Sequence, residues 1–247
     1  IAPPAVPGPA FRLVLQFRMG LLLTTLTAAG RMCTCRWVAD AYGDHSVGCK
    51  LTGLVGMRHD GVLHVLCEMA RRVGLVISTT RKHYPPLLRP PPGVNKHLCP
   101  DFVLLDYPKP GDVAVGDVTV HHPNRPCTLA RDGAAASAAT ALAAADRAER
   151  EKELKYTRFL RHLQTESGVR RPPEEHFVPL GMETYGAVSK KVKDLFNWLI
   201  RSWVSANQAD ASQAAYYRHE WKYRFSSAMQ KWNGRMLADG KARVGRA

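Results

Sequence analysis

The sequence predicts a mixed α/β fold, an α+β arrangement in which helices flank a mixed sheet. Three observations carry this expectation. Two apolar, β-branched runs, 100–107 and 113–120, flank the turn Pro108-Lys109-Pro110-Gly111-Asp112 and read as a hairpin of buried strands. Helical stripes lie on either side of that hairpin in the chain, Val62/Leu66/Met69/Val73 before it and Tyr156/Phe159/Leu160/Leu163 after it. A further apolar run at 177–183 reads as the last core strand.

Residues 1–9 are proline-rich and read as an extended arm. A packing helix over 11–20 follows, with Phe11, Leu15 and Met19 at near-helical spacing. Next comes the pattern C-x-C-x9-H-x3-C, formed by Cys33, Cys35, His45 and Cys49. His45 and Cys49 are four apart, so one helical turn puts both on the same face. Three thiolates and an imidazole make a closed tetrahedral set suited to structural zinc, and the surrounding Gly/Asp-rich loop has little else to order it. Cys67, Cys99 and Cys127 read as packing residues.

The helix expected over 58–74 stops at Gly74, and 75–79 reads as a strand. Residues 81–98 hold five prolines and the basic residues Arg81, Lys82, His83, Arg89, Lys96 and His97. Such a stretch suits either a phosphate backbone or a solvated insertion. In the hairpin, Asp101 opens the first strand and Asp117 sits late in the second, among residues that otherwise favour a core. A carboxylate there must be paired, hydrogen-bonded or metal-bound, because desolvating it alone costs several kcal/mol. Two such acids on neighbouring strands can converge on one hard cation.

His121-His122-Pro123 ends the strand, and 124–140 is an alanine-rich segment of low information. On the helix expected over 142–163, extending the apolar face backwards lands on Lys152 and Lys155, which therefore point towards the body. A helix over 189–205 buries Val192, Phe196 and Leu199. The stretch 213–236 interleaves Tyr216, Tyr217, Trp221, Tyr223, Phe225 and Trp232 with Arg218, Lys222, Arg224, Lys231 and Arg235. It reads as a helix that packs by one side, its basic outer face either solvated or set against phosphates.

Thirty-five Lys+Arg against 21 Asp+Glu give a net charge of +14, spread along the chain, which favours a polyanionic partner. RNA, DNA and an acidic membrane surface all meet that description. Leu21-Leu22-Leu23 belongs to a stretch far shorter than a bilayer span. Six cysteines, two of them too close for an easy disulfide, fit a reducing intracellular setting. The start at Ile1 reads as a fragment or processed product. No Gly-rich phosphate loop or nucleophile elbow supports a metabolic enzyme.

The order helix, three strands, helix, strand is the arrangement of the PD-(D/E)xK restriction-like nuclease fold, with Pro100-Asp101 as its PD element and Asp117 as its second acid. The set Cys33/Cys35/His45/Cys49, Arg58-His59, Pro100-Asp101, Asp117-Val118-Thr119-Val120, Lys152-x-x-Lys155-Tyr156 and Phe177-Val178-Pro179…Glu183-Thr184-Tyr185-Gly186 resembles the C-terminal part of site-specific non-LTR retrotransposon proteins. The resemblance covers 11–198. It implies a CCHC zinc knuckle over 31–54 and a restriction-like endonuclease domain over 55–205, which leaves a Pro-rich arm and packing helix over 1–30 and a basic aromatic helical extension over 206–247.

It further implies Mg2+ held by Asp101, Asp117 and the Val118 backbone carbonyl. Thr119 stands where the triplet's lysine belongs, so that role falls to Lys155, or to Lys152 one turn earlier. Glu183 and Glu68 are secondary candidates for metal or water contacts. Arg58, His59, Arg81, Lys82, Arg218, Lys222 and Arg224 are the expected nucleic-acid contacts. The implied activity is nicking of target DNA to prime reverse transcription, within a longer nuclear polyprotein. The alternative is a domesticated, non-catalytic RNA-binding subunit of a ribosome-like particle, organellar or cytoplasmic.

Overall fold

Four strands pair in chain order: β1 (Ile77–Ser78), β2 (Phe102–Leu105), β3 (Val113–His121) and β4 (Phe177–Glu183). The first two junctions are antiparallel and the β3/β4 junction is parallel, so the expected mixed sheet is present. The computed structural model describes residues 8–23, 32–79, 100–124, 142–167 and 177–244. Six α-helices occur among them: α1 (Gly8–Arg18), α2 (Asp44–Gly48), α3 (Leu54–Arg72), α4 (Ala143–Ser167), α5 (Lys190–Asn207) and α6 (Ala211–Val244). A 3-10 turn at Lys50–Thr52 joins α2 to α3. The arm over 1–7, the basic excursion with Arg81 and Lys82, Cys99, Cys127 and the alanine-rich stretch 125–141 lie outside the described residues.

Parallel neighbours need a crossover, and α4 supplies it between β3 and β4. It lies against one face of those two strands, close enough that a Cβ on Gly181 would come within 2.2 Å of the Ala145 carbonyl oxygen. The other face carries Phe102, Leu104, Ala114, Val118, Val178, Leu180 and Met182, packed with Val62, Leu66 and Met69 of α3, Val192, Leu195 and Leu199 of α5, and Trp221, Phe225 and Met229 of α6. Each fully buried leucine, phenylalanine or methionine there contributes about 1.5–3 kcal/mol relative to exposure. The 3.6-residue stripes read on α3 and α5 are the faces that pack.

Gly116 of β3 leaves room for its neighbour's side chain. The Phe102 ring lies over it, and a Cβ would meet that ring at 2.0 Å. The register pairs Phe102 with Gly116, so the next step places Asp101 across from Asp117.

One expectation about a helix face is corrected. On α1 the buried residues are Val14 and Phe17, whereas Phe11, Leu15 and Met19 are exposed. The helix carries two apolar stripes, and the one that packs is the one meeting Gly234 of α6, where a Cβ would touch Ala10 and Val14. The C-terminal stretch forms a helix that packs by one side, with Arg218 and Lys222 on its exposed face. Within α6, Trp221, Phe225, Met229, Asn233, Met236 and Leu237 are all buried. Its N-terminal half joins the sheet core, and Leu237 joins a second core with Val14, Phe17, Leu23 and Val47.

Candidate functional site

The two acids meet where the hairpin register leads them. Asp101 Oδ2 accepts the Val118 backbone N–H at 2.6 Å, which ties the start of β2 to the middle of β3. The same oxygen lies 2.9 Å from His59 Nε2, and His59 Nδ1 lies 3.0 Å from Asp60. Burial alone would lower the His59 pKa. The Asp101 carboxylate, helped by Asp60, outweighs burial and carries it up to about 9.

Asp117 is buried on the α4 side of the sheet. Lys152 Nζ lies 2.7 Å from its Oδ1, and the Tyr156 hydroxyl donates to its Oδ2 at 3.1 Å. Lys152 and Tyr156 are four apart, so one face of α4 presents both groups to one carboxylate. The Tyr156 ring is itself fixed by stacking on Phe177, with centroids 4.4 Å apart. Thr119, two residues on in β3, places its hydroxyl 3.4 Å from Asp117 Oδ1. Burial and then the nearby Asp101 push the Asp117 carboxyl above the usual range, and Lys152 and Tyr156 only partly offset them. A second positive charge would be stabilised there.

Of the two lysines, Lys152 reaches the acids. Lys155 is exposed and rests its ammonium 5.6 Å from the Tyr156 ring centroid. Glu183 is on the same sheet face but pairs with His121, four residues or ~13 Å further along the strands. Its carboxylate accepts the Ala145 N–H at 3.4 Å, in the first turn of α4, where a negative group meets the helix dipole. Glu68 pairs with Arg224 at 3.2 Å and with His64 at 3.5 Å, and so acts as a structural partner of an arginine.

Two expected nucleic-acid contacts are corrected. Arg58 is completely buried, donating to the Val47 carbonyl at 3.1 Å and to Asn233 Oδ1 at 2.9 Å. Arg224 is buried too, held by Glu68 and by Glu220 at 3.0 Å. Both stand in helices whose inner faces lie close together, so their charges serve packing and never reach a surface. His59 is part of the acid site. Arg218 and Lys222 are exposed.

The second site is the Cys/His set. Ligand atoms of Cys33, Cys35, His45 and Cys49 all lie within 4.8 Å of one another, which fits a structural zinc. A tight turn presents the first pair: Cys33 N–H donates to Trp37 O, Arg36 N–H donates to Cys33 O, and Met32 bridges to Val38. Asp40 orders the other pair by accepting the N–H groups of Tyr42, Asp44 and His45 at the start of α2. Burial would raise the Cys33 thiol, but the Cys35 N–H, His45 and neighbouring groups bring it down to about 6. Cys35 is pushed up by burial and by the other two sulfurs. One thiol ionises readily and the crowd around it resists a second negative charge, which a bound divalent metal would neutralise.

Sequence reasoning missed the link between the two sites. His122 is buried with its Nε2 3.1 Å from Asp44 of α2 and its Nδ1 2.7 Å from Thr184 Oγ1. Tyr185 donates to Asp44 at 3.3 Å, and Asn124 donates to both. Burial would raise the Asp44 carboxyl, but His122, Asn124 and Tyr185 hold it below the usual range. His121-His122-Pro123 read only as the end of a strand, and no local pattern tells a buried histidine from an exposed one.

Comparison with protein-family models, curated proteins and solved structures gives no match for this chain.

Proposed function

We propose that the chain is a Mg2+-dependent DNA-nicking module of a retrotransposon-type protein, built on a PD-(D/E)xK-like core and stapled by zinc. The observation that carries the reading is the facing pair Asp101 and Asp117 with Lys152 at 2.7 Å. Two carboxylates on adjacent positions offer hard oxygen donors of the kind Mg2+ selects, and the raised Asp117 carboxyl marks a place where a cation is favoured. Asp101 and Asp117 would hold the ion, which would polarise the scissile phosphate and activate a water.

The chain's own groups supply the rest. Lys152 is the cation placed to stabilise charge developing on a phosphate oxygen, in place of the lysine absent at Thr119. Tyr156 and the Val118 N–H each fix one carboxylate, so the pair is positioned before substrate arrives. His59 keeps a proton beside Asp101 at neutral pH. The net charge of +14 draws the polyanionic substrate. No helix among the described residues is long and apolar enough to cross a membrane.

One observation favours a second reading. Both acids already have cationic partners within the chain, Asp101 with His59 and Asp117 with Lys152, which is the state a non-catalytic RNA-binding remnant would keep. Nicking of supercoiled DNA with Mg2+, wild type against Asp117→Ala, decides between them. The nuclease reading expects nicking by the wild type alone. Salt-sensitive RNA binding without cleavage by either protein establishes the remnant.

A further inference from the structure

Residues of helices α5 and α6 line a cleft of about 390 Å3, in the helical layer on the far side of the sheet from Asp117. Its floor is apolar, made by Phe196, Ile200, Phe225 and Met229. Its walls carry Lys193 from α5 and Arg218 and Lys222 from α6, all exposed, and no acidic residue lines it. None of these three cations takes part in an ion pair among the described residues, whereas Lys152, Lys190, Lys191 and Arg224 all do. Trp221, 1 % exposed, also lines the cleft.

We propose that this cleft binds single-stranded nucleic acid, seating an unstacked base on the floor with its flanking phosphates against Lys193, Arg218 and Lys222. The inference rests on the reading of the chain as a nucleic-acid protein, though not on the acid pair. Charge and chemistry select this occupant. The ionic groups on the walls are all donors, while the floor accepts a flat apolar body. A nucleobase joins ring surface to carbonyl and ring-nitrogen acceptors in one rigid plane, with phosphates at its sides. A duplex cannot enter, because its bases are stacked inside. An acidic peptide would satisfy the walls, but its carboxylates do not flank a flat ring that fills the floor. Arg218 to Met229 spans ~16 Å of helix, room for a few nucleotides.

The test measures binding of fluorescein-labelled oligothymidylate by the zinc-loaded full chain without added Mg2+. Three proteins are compared with wild type: Lys193→Glu/Arg218→Glu/Lys222→Glu, the cleft-filling Asn197→Trp, and a charge-matched control, Arg12→Glu/Arg18→Glu/Lys109→Glu. The triple cleft variant is expected to weaken Kd at least tenfold and to lower the salt slope by about 2, three contacts at 0.7 each for a single strand. Asn197→Trp is expected to weaken binding about fivefold with the slope unchanged, and the control to lose less than either. Wild-type affinity and slope in the triple variant overturn the proposal, as does an unaffected Asn197→Trp. Displacement by an acidic helical peptide, with oligothymidylate affinity unchanged across the variants, makes the cleft a protein site and overturns it too. Mg2+-dependent nicking is assayed in parallel, so loss of the nuclease reading registers separately from loss of the cleft.

Discussion

Asp117→Asn separates what the fold gains from what the site costs. In the wild type this carboxyl is held up by burial and by Asp101, so the folded chain binds a proton more tightly there than the unfolded chain does. The sign follows: the penalty is absent below the unfolded value of 3.8, grows as pH rises from there towards the raised folded value, and is complete above it. Asparagine keeps the shape and an acceptor for Tyr156 while removing the charge. The substitution forfeits the ion pair with Lys152, worth about 1 kcal/mol because Lys152 is partly solvated. Relief of the buried charge and of its repulsion by Asp101 is the larger quantity, so the net change is a gain, about 1 kcal/mol if it has the common size of a stabilising substitution. For a chain of this size that raises Tm by about 2–4 °C. Differential scanning calorimetry without added Mg2+ at neutral pH reads the shift, and repeating it near pH 4 reads its disappearance. Nicking should fall at least 100-fold in the same variant. A Tm lowered by several degrees at neutral pH would refute the reasoning, since it would mean the Lys152 pair outweighs desolvation.

Four further outcomes follow from the geometry. Lys152→Met should reduce nicking by about 100-fold, whereas Lys155→Met should stay within a few-fold of wild type; plasmid relaxation rates distinguish them. The His59–Asp101 pair contributes stability fully below about pH 6.5 and loses it as pH rises towards the folded value of about 9. His59→Ala should therefore flatten the fall in urea midpoint between pH 6 and pH 9.5, and an unchanged fall would assign it elsewhere. Arg58→Met should cost about 3 kcal/mol by leaving the Val47 carbonyl and Asn233 without their donor. That is a loss of about 6–12 °C in Tm, with DNA affinity per folded molecule unchanged in filter binding. Elemental analysis should find one equivalent of zinc in the wild type and none in Cys49→Ser, which should also be destabilised; a metal-free wild type of full stability would contradict the Cys/His assignment.

What was legible in the sequence was whatever has a local period or a fixed spacing. The hairpin, the last strand and the inward stripes of α3 and α5 come from alternation and helical repeats, and the Cys/His set comes from spacing along one short loop. Facing acids followed from the same local register, because a hairpin's turn sets which residues oppose one another. Lost to the sequence was everything that depends on which of two suitable surfaces meets a neighbour. Phe11/Leu15/Met19 and Val14/Phe17 are both credible stripes on α1, and only Gly234 on a helix more than 200 residues away selects the second. Arg58 and Arg224 carry the same charge as Arg218 and differ from it only in what stands opposite. The two lysines of α4 are separated by a rotation of three residues, enough to put one on Asp117 and the other in solvent.

The joint formed by Asp44, His122, Thr184 and Tyr185 bears on how such a chain can be divided or recombined. The boundary suggested by motifs, near residue 55, cuts across it: an amputated piece beginning at α3 would keep His122 but not Asp44, and Arg58 but not Val47. Two severed buried partnerships would face solvent or each other at the cut. The metal-binding loop and the sheet are therefore inherited as one heritable unit, and a graft that moves the acid pair into another protein has to carry the cysteines with it.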